Sequence, residues 1–548
     1  MSGAPLPAAA APLVLREPDA VMRLARMGAA FPTRLSFMRV LLRRLARERA
    51  RVERTLWALD REGHGRAVLT VRLGGRSYSL VAFSQALPPE KRTDRVIAEA
   101  WDATFALFDG VPDGTDLARL QANVPLQEAG RCSPRELVLS RANRSVRLFE
   151  HVVESLARGR QPDEEQLAVG YLMRTTAVYG NGKFGIADRP LVARRPGLEG
   201  PFAAEMLAVW LIRGFTVALA EHVAAARSPS AARLAPATAR RLGVGNSTGL
   251  GMAPFLVNHP LLLHRWMEAR ETALARVRAL PACRADMDAL MMRAARHLDG
   301  WNVDDAAQGG RIEILRREWA ELRRTLDWSA PFPFDRAIRA SEAMSTETQE
   351  LAVALVLEPH GALVDDLADT MAAPPEPPLD PRMGVGELRR LVERDWSWAL
   401  RLDFDDPDET HRFWYVSEEK LEPRLGDRHA EPGAERESPL DVARRVQALH
   451  AATEGQDGSL ARFLLSRPEH RFAARRVQGL ARHPWGEIRD NLVSRRCLPI
   501  DMLRLKLSFF GAARFDPRSD RWTRVTLFGG APLFEDVSGD PDDWWLAA

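Results

Sequence analysis

Lysine, tyrosine, asparagine and cysteine are scarce in this chain, and their absence narrows what it can be. Only four of the 77 basic residues are lysine (Lys91, Lys183, Lys420 and Lys506), so 77 − 4 = 73 are arginine. Tyrosine occurs four times and asparagine seven times in 548 residues. This bias reads as a GC-rich coding background, not as a phosphate-binding face. Acidic residues nearly cancel the basic ones, 77 − 74 leaving +3, and the signs are interspersed, so nucleic acid finds no electrostatic footprint. Cys132, Cys283 and Cys497 lie far apart with no CxxC spacing. That excludes a disulfide framework and a cysteine-rich zinc site, and it suits a reducing, cytoplasmic setting.

A membrane-spanning run is missing as well. The most apolar long stretch, Phe202–Leu219, is interrupted by Glu205 and Arg213 and is expected as a buried core helix. Residues 1–20 are rich in alanine and proline with no basic n-region, which predicts a disordered tail in place of a signal peptide. Hydrophobic content of 46% with 28% charged residues describes a soluble globular chain long enough for two or three domains.

What is present is mainly helical periodicity. Residues 34–60 carry Leu35, Phe37, Met38, Val40, Leu41, Leu42 and Leu45 among arginines, the pattern of an amphipathic helix. Residues 66–84 alternate about Gly74-Gly75, a β-hairpin signal. Helices are expected again over 94–108, eight or more between 133 and 372, and one over 385–402. Ala203–Arg227 and Thr346–Met371 are the long, apolar ones. Five prolines within residues 372–382 mark a linker. A short strand is expected at Phe413–Val416 and a closing hairpin over 521–537. The expected fold class is mainly α: a multi-helix bundle core with a small N-terminal β-hairpin (α+β) element and a mixed C-terminal region. The domains would be an N-terminal α+β unit (21–130), a central helical unit (131–371), the linker (372–383) and a mostly helical C-terminal unit (384–548).

The scarce residues concentrate in three windows, 171–189, 245–260 and 411–424. These are 49 positions that hold 8 of the 15 lysines, tyrosines and asparagines, so they are where a site is sought. In the first, a helix containing Tyr171, Arg174 and Thr175 is expected to run into Gly180-Asn181-Gly182-Lys183-Phe184-Gly185. Three glycines in six positions let backbone amides approach a ligand, and Lys183 adds a compact charge. Neither GxxxxGK[ST] nor GxGxxG is present, so this is not a known nucleotide fingerprint. In the second, glycines 243, 245, 249 and 251 surround Asn246, Ser247 and Thr248, a polar triplet able to cradle an anion or a carbonyl. Asn258 and Pro260 fit a helix start, with His259 at its entrance. In the third, Tyr415 sits in a strand-like run before Lys420 and Arg424, and Lys420 lies among carboxylates that favour its charge.

Metal ligands are poorly represented: there is no HExxH and the twelve histidines are scattered. Asp365-Asp366-Leu367-Ala368-Asp369 matches DDxxD and Asp403-Phe404-Asp405-Asp406 matches DxDD, patterns found in isoprenoid synthases and cyclases. The accompanying NDxxSxxxE is missing, since Asp490-Asn491 and Ser494 are followed by Leu498, and no metal site is assigned.

These readings converge on an enzyme for a small anionic metabolite (carboxylate, phosphate or sulfonate), lyase- or isomerase-like in its acid–base chemistry. Arg174, Thr175, Asn181, Asn246, Ser247, Thr248 and Arg424 would bind substrate, and Lys183, Tyr179, His259, Tyr415 and Lys420 would move protons. No cofactor is expected, although haem or another organic cofactor is left open, as is homo-oligomerisation. Neither nucleic acid nor membrane is an expected partner. The alternatives are a non-catalytic helical ligand-binding or scaffold protein and an organic-cofactor or haem oxidoreductase.

Overall fold

A computed structural model gives the fold and describes residues 13–22, 34–91, 100–123, 133–178, 189–192, 194–200, 202–246, 260–280, 284–326, 334–369, 378–406, 415–417, 420–422, 439–487, 498–504, 507, 512 and 525–537. Its organising element is a sheet. Strands β1 (Val52–Leu59), β2 (Gly65–Leu73), β3 (Arg76–Ser84), β4 (Ala103–Asp109), β5 (Glu136–Arg144), β6 (Tyr171–Thr175) and β7 (Gly243–Asn246) lie side by side in chain order. Two further strands, β8 (Tyr415–Ser417) and β9 (Lys420–Glu422), form a separate two-stranded ribbon, and β10 (Val525–Leu527) closes the large sheet beside β7. Neighbours are antiparallel throughout the eight strands except β6 and β7, which run parallel.

The eight strands curl into a half-barrel, which overturns the expected helical bundle with a small hairpin and the description of the chain as mainly α. Helix still makes up 56% of the structure, so the error lay in the sheet's extent, not in the presence of helices. Its cause is burial on both faces. Every residue of β4 and β5 is buried, and a strand covered on both sides has no polar face to alternate with its apolar one. Phe105 and Leu107 enter the main core, while Ala106 and Phe108 enter a second, smaller one with Val68, Val81, Phe83, Leu120 and Leu139. Such a run reads as easily as a buried helix.

The covering helices follow from the chain order. In the N-terminal half they are α1 (Pro18–Met22), α2 (Arg34–Arg47), α3 (Gly114–Asn123), α4 (Phe149–Ala157), α5 (Glu164–Leu167), α6 (Arg189–Val192), α7 (Ala203–Arg227) and α8 (Pro236–Arg241). Leu120 of α3 joins the smaller core, and α7 packs against β3 to β7 together with α2 and α4. Among the described helices α7 alone is long and apolar enough to cross a membrane, and 83% of its most apolar window is buried inside the protein. It is apolar all round because it is covered all round. α7 also supplies the crossover between the parallel strands β6 and β7, the connection that parallel strands require.

Beyond β7 the described chain is helical from Pro260–Arg278 through Gly361–Asp369, and again from Val385–Asp395 to Arg471–Arg482. The single helix expected over 346–371 divides into Thr346–Leu357 and Gly361–Asp369, with a tight turn at Glu358–His360. Pro359 lacks the N–H that would continue the ladder. The segment expected as a closing hairpin contributes one described strand, β10, and that strand pairs with β7.

Candidate anion site at the strand ends

Residues of the first two sequence windows meet in the sheet. Thr175 at the end of β6 is the register partner of Asn246 at the end of β7, and Arg174 is the partner of Gly245. The stretch around Tyr171, Arg174 and Thr175, expected to be helical, is β6, all of it buried. Two window glycines have packing roles. A Cβ on Gly245 would lie 2.7 Å from Arg174 Cγ and 2.9 Å from Tyr171 Cγ, so both side chains run over its bare backbone. A Cβ on Gly243 would lie 2.3 Å from the Leu527 carbonyl oxygen, so this glycine admits β10.

Residues that the windows missed complete the cluster. Asn143 on β5 is the register partner of Arg174, and Arg141 is that of Thr104 on β4. Strand alternation therefore puts Arg141, Asn143 and Arg174 on one face. The backbone N–H of Arg141 donates to Thr176 Oγ1 (2.9 Å), and its guanidinium lies 4.2 Å from the ring centre of Trp101. The Arg174 guanidinium lies 5.8 Å from the Tyr171 ring. Asp102 is fully buried: its N–H donates to Asn143 Oδ1 (2.9 Å) and its carboxylate accepts the Arg144 N–H (2.9 Å). Thr175 Oγ1 accepts the Ala177 N–H (3.2 Å), which bends the chain as it leaves the sheet. Arg141 is 7% exposed and Arg174 5%, so two arginines share a sheltered face of the sheet. One signal could have found part of this: Asn143 is itself one of the seven asparagines. Arg141 had none, being one arginine among 73.

Lys183, Tyr179, Asn181, Ser247, Thr248, His259 and Arg424 lie outside the described residues. Tyr415 and Lys420 belong to the separate ribbon, where Tyr415 pairs with Glu422 and Lys420 with Ser417. The helix after His259 does begin at Pro260. The acidic motif at 365 is structural: Asp365 is fully buried and binds Arg39 through both oxygens (2.5 and 3.0 Å), with Arg43 3.7 Å away. His264 packs against His483 (ring centres 4.9 Å apart) and Trp485 (5.4 Å). Burial, then His483, push its pKa down to about 4, so it is a neutral packing residue at pH 7. Among the described residues, no group of three or more His, Cys, Asp or Glu is placed to hold a metal ion.

No protein-family model, curated protein or solved structure matches this chain.

Proposed function

We propose that this chain binds a small organic anion (a carboxylate, phosphate or sulfonate) at the carboxyl ends of β6 and β7, and acts on it by acid–base chemistry such as elimination or isomerisation. The observation that supports binding is the pair of buried guanidinia, Arg141 and Arg174, on one face at the end of the parallel strand pair. Ligands of sheets with parallel strands gather outside the carboxyl ends of those strands. A guanidinium offers a planar fork of donors matched to carboxylate or phosphate oxygens, and shelter from water strengthens the interaction. Arg141 and Arg174 have other partners too, so an anion would join or displace these. Glycine-rich sequence follows both strands, with Lys183 and Tyr179 after β6 and His259 after β7 as the proton-transfer candidates.

Calorimetric titration with a panel of small carboxylates, phosphates and sulfonates tests the binding. Arg141→Met and Arg174→Met should each weaken the best binder by about tenfold or more, the loss of one charge-assisted bond or more. Binding of no panel member, or equal binding by both variants, would remove the anion site. The chemistry has a separate test in Lys183→Ala. Turnover of the bound anion should be lost with far-ultraviolet circular dichroism unchanged, and unchanged turnover would discard the catalytic role.

A further inference from the structure

Arg213, in the middle of α7, is buried with no carboxylate of the described residues in hydrogen-bonding range and binds main-chain carbonyls instead. Nε donates to Leu242 O (2.7 Å) and Nη1 to Pro532 O (2.8 Å). Nη2 donates to Ala531 O (2.8 Å), Arg240 O (3.0 Å) and Ala239 O (3.3 Å). One guanidinium thus joins two stretches nearly three hundred residues apart: the end of α8 leading into β7, and the turn that follows β10.

The next residue, Gly214, forms the other half of the device. A Cβ there would sit 1.9 Å from Cζ of Phe534, so the phenyl ring occupies the space over the glycine. The same ring meets Trp210 edge-on at 4.7 Å. Outside, Arg240 binds Asp536 (2.8 Å), and the Gly530 N–H donates to Arg240 O (2.7 Å). Next to these anchors β10 pairs with β7: Val525 with Asn246, Thr526 with Gly245, and Leu527 with Val244. β7 is four residues long, too short to hold its own place. One side of it faces β6 with Arg174, and the other faces the anchored C-terminal strand.

We infer that residues 525–537 form a clasp that sets the position of β7 at the candidate site, with Arg213 and Gly214 as its positioning residues. The clasp is specific in shape, because Phe534 needs a glycine at 214, and specific in hydrogen bonding, because carbonyls 239, 240, 242, 531 and 532 share one donor group. The consequence for ligand rests on the anion-site reading, whereas the effect on β7 can be measured without any ligand.

The test is a bump and its relief in the full chain. Gly214→Ala should push the Phe534 ring out of its place, raise amide exchange at 243–246 by about tenfold, and weaken inorganic phosphate binding by a similar factor. Gly214→Ala/Phe534→Leu makes room for the new methyl group and should return both readings most of the way to wild type, a rescue that general destabilisation cannot produce. Should Gly214→Ala not fold, Phe534→Ala releases the same anchor with no bump and should show the same loosening. Exchange at 243–246 that stays at the wild-type rate while 525–537 exchanges fast would overturn the clasp. Failure of wild type to bind phosphate or the panel anions, with the exchange pattern as expected, overturns the anion site and leaves the clasp standing.

Discussion

Arg213 in α7 and Glu271 in the helix Pro260–Arg278 are both almost sealed from water, yet the surroundings satisfy them by different chemistry. Arg213 is held by five main-chain carbonyls; burial pushes its pKa down to about 9, partly offset by Asp536, so it is charged at pH 7. Glu271 takes both oxygens to Arg16 (2.7 Å each), with Arg270 3.5 Å away. Arg270 also approaches Glu350 (3.8 Å), which meets Arg504 (3.2 Å), and Arg504 reaches the carbonyls of Val21 and Met22. Arg213 is thus satisfied by dipoles, and Glu271 by opposite charges. A side chain and its paired opposite charge can be removed together, but carbonyls cannot be deleted. The carbonyl-bound arginine should therefore be the less replaceable.

That contrast sets the order of the expected effects. Arg213→Met should be the most damaging, about 5 kcal/mol in urea unfolding, because several buried carbonyls lose their donor at once. A cost below that of the Glu271 variant would break the comparison. Glu271→Gln comes next at about 3 kcal/mol, since two arginines lose their nearest charge, while Arg16→Met/Glu271→Met should cost less than the two single changes summed. Additive losses would show that the pair is not coupled.

A pH series sharpens the comparison on the helical side, because His264 lies on the same helix as Glu271. Its pKa of about 4 in the fold is below the ordinary 6.5, so between these values the unfolded chain binds more protons. Stability should fall as pH drops from about 6.5 towards 4, and His264→Phe should flatten that part of the profile. An unchanged profile would mean that the imidazole is more hydrated than its packing indicates. Arg213 keeps its charge across this range and adds no slope. The smallest effect is expected at the surface: Arg158→Ala removes an exposed i, i+4 pair with Glu154 and should cost at most about 0.5 kcal/mol.

Legibility in the sequence followed burial and punctuation. The β2–β3 hairpin was readable because Gly74 and Gly75, both at positive φ, separate two strand-like runs. β1 was absorbed into the preceding helix because that helix stops at Arg47 without a glycine. Arg49 takes the left-handed conformation itself, at φ 49°, so the usual stop signal is missing. β4 and β5 were lost to two-sided burial. β7 looked like a loop because two of its four residues are glycine, both required by close approach of neighbours. At the site, rarity pointed to Arg174, Thr175 and Asn246 through their windows, and the register brings these residues side by side. Arg141 and Asp102 carried no local signal.

The chain's own order was enough to determine the buried helix α7, the Gly74-Gly75 turn and the helical run after Pro260. Each depends on contacts or propensities within a few residues. Tertiary structure alone decided that β6 and β7 run parallel with α7 between them, that a strand from residue 525 onward closes the sheet, and that Arg141 and Arg174 share a face. Those outcomes rest on pairings across tens to hundreds of residues. Such pairings depend on the burial and hydrogen bonding of both partners, which local periodicity does not encode.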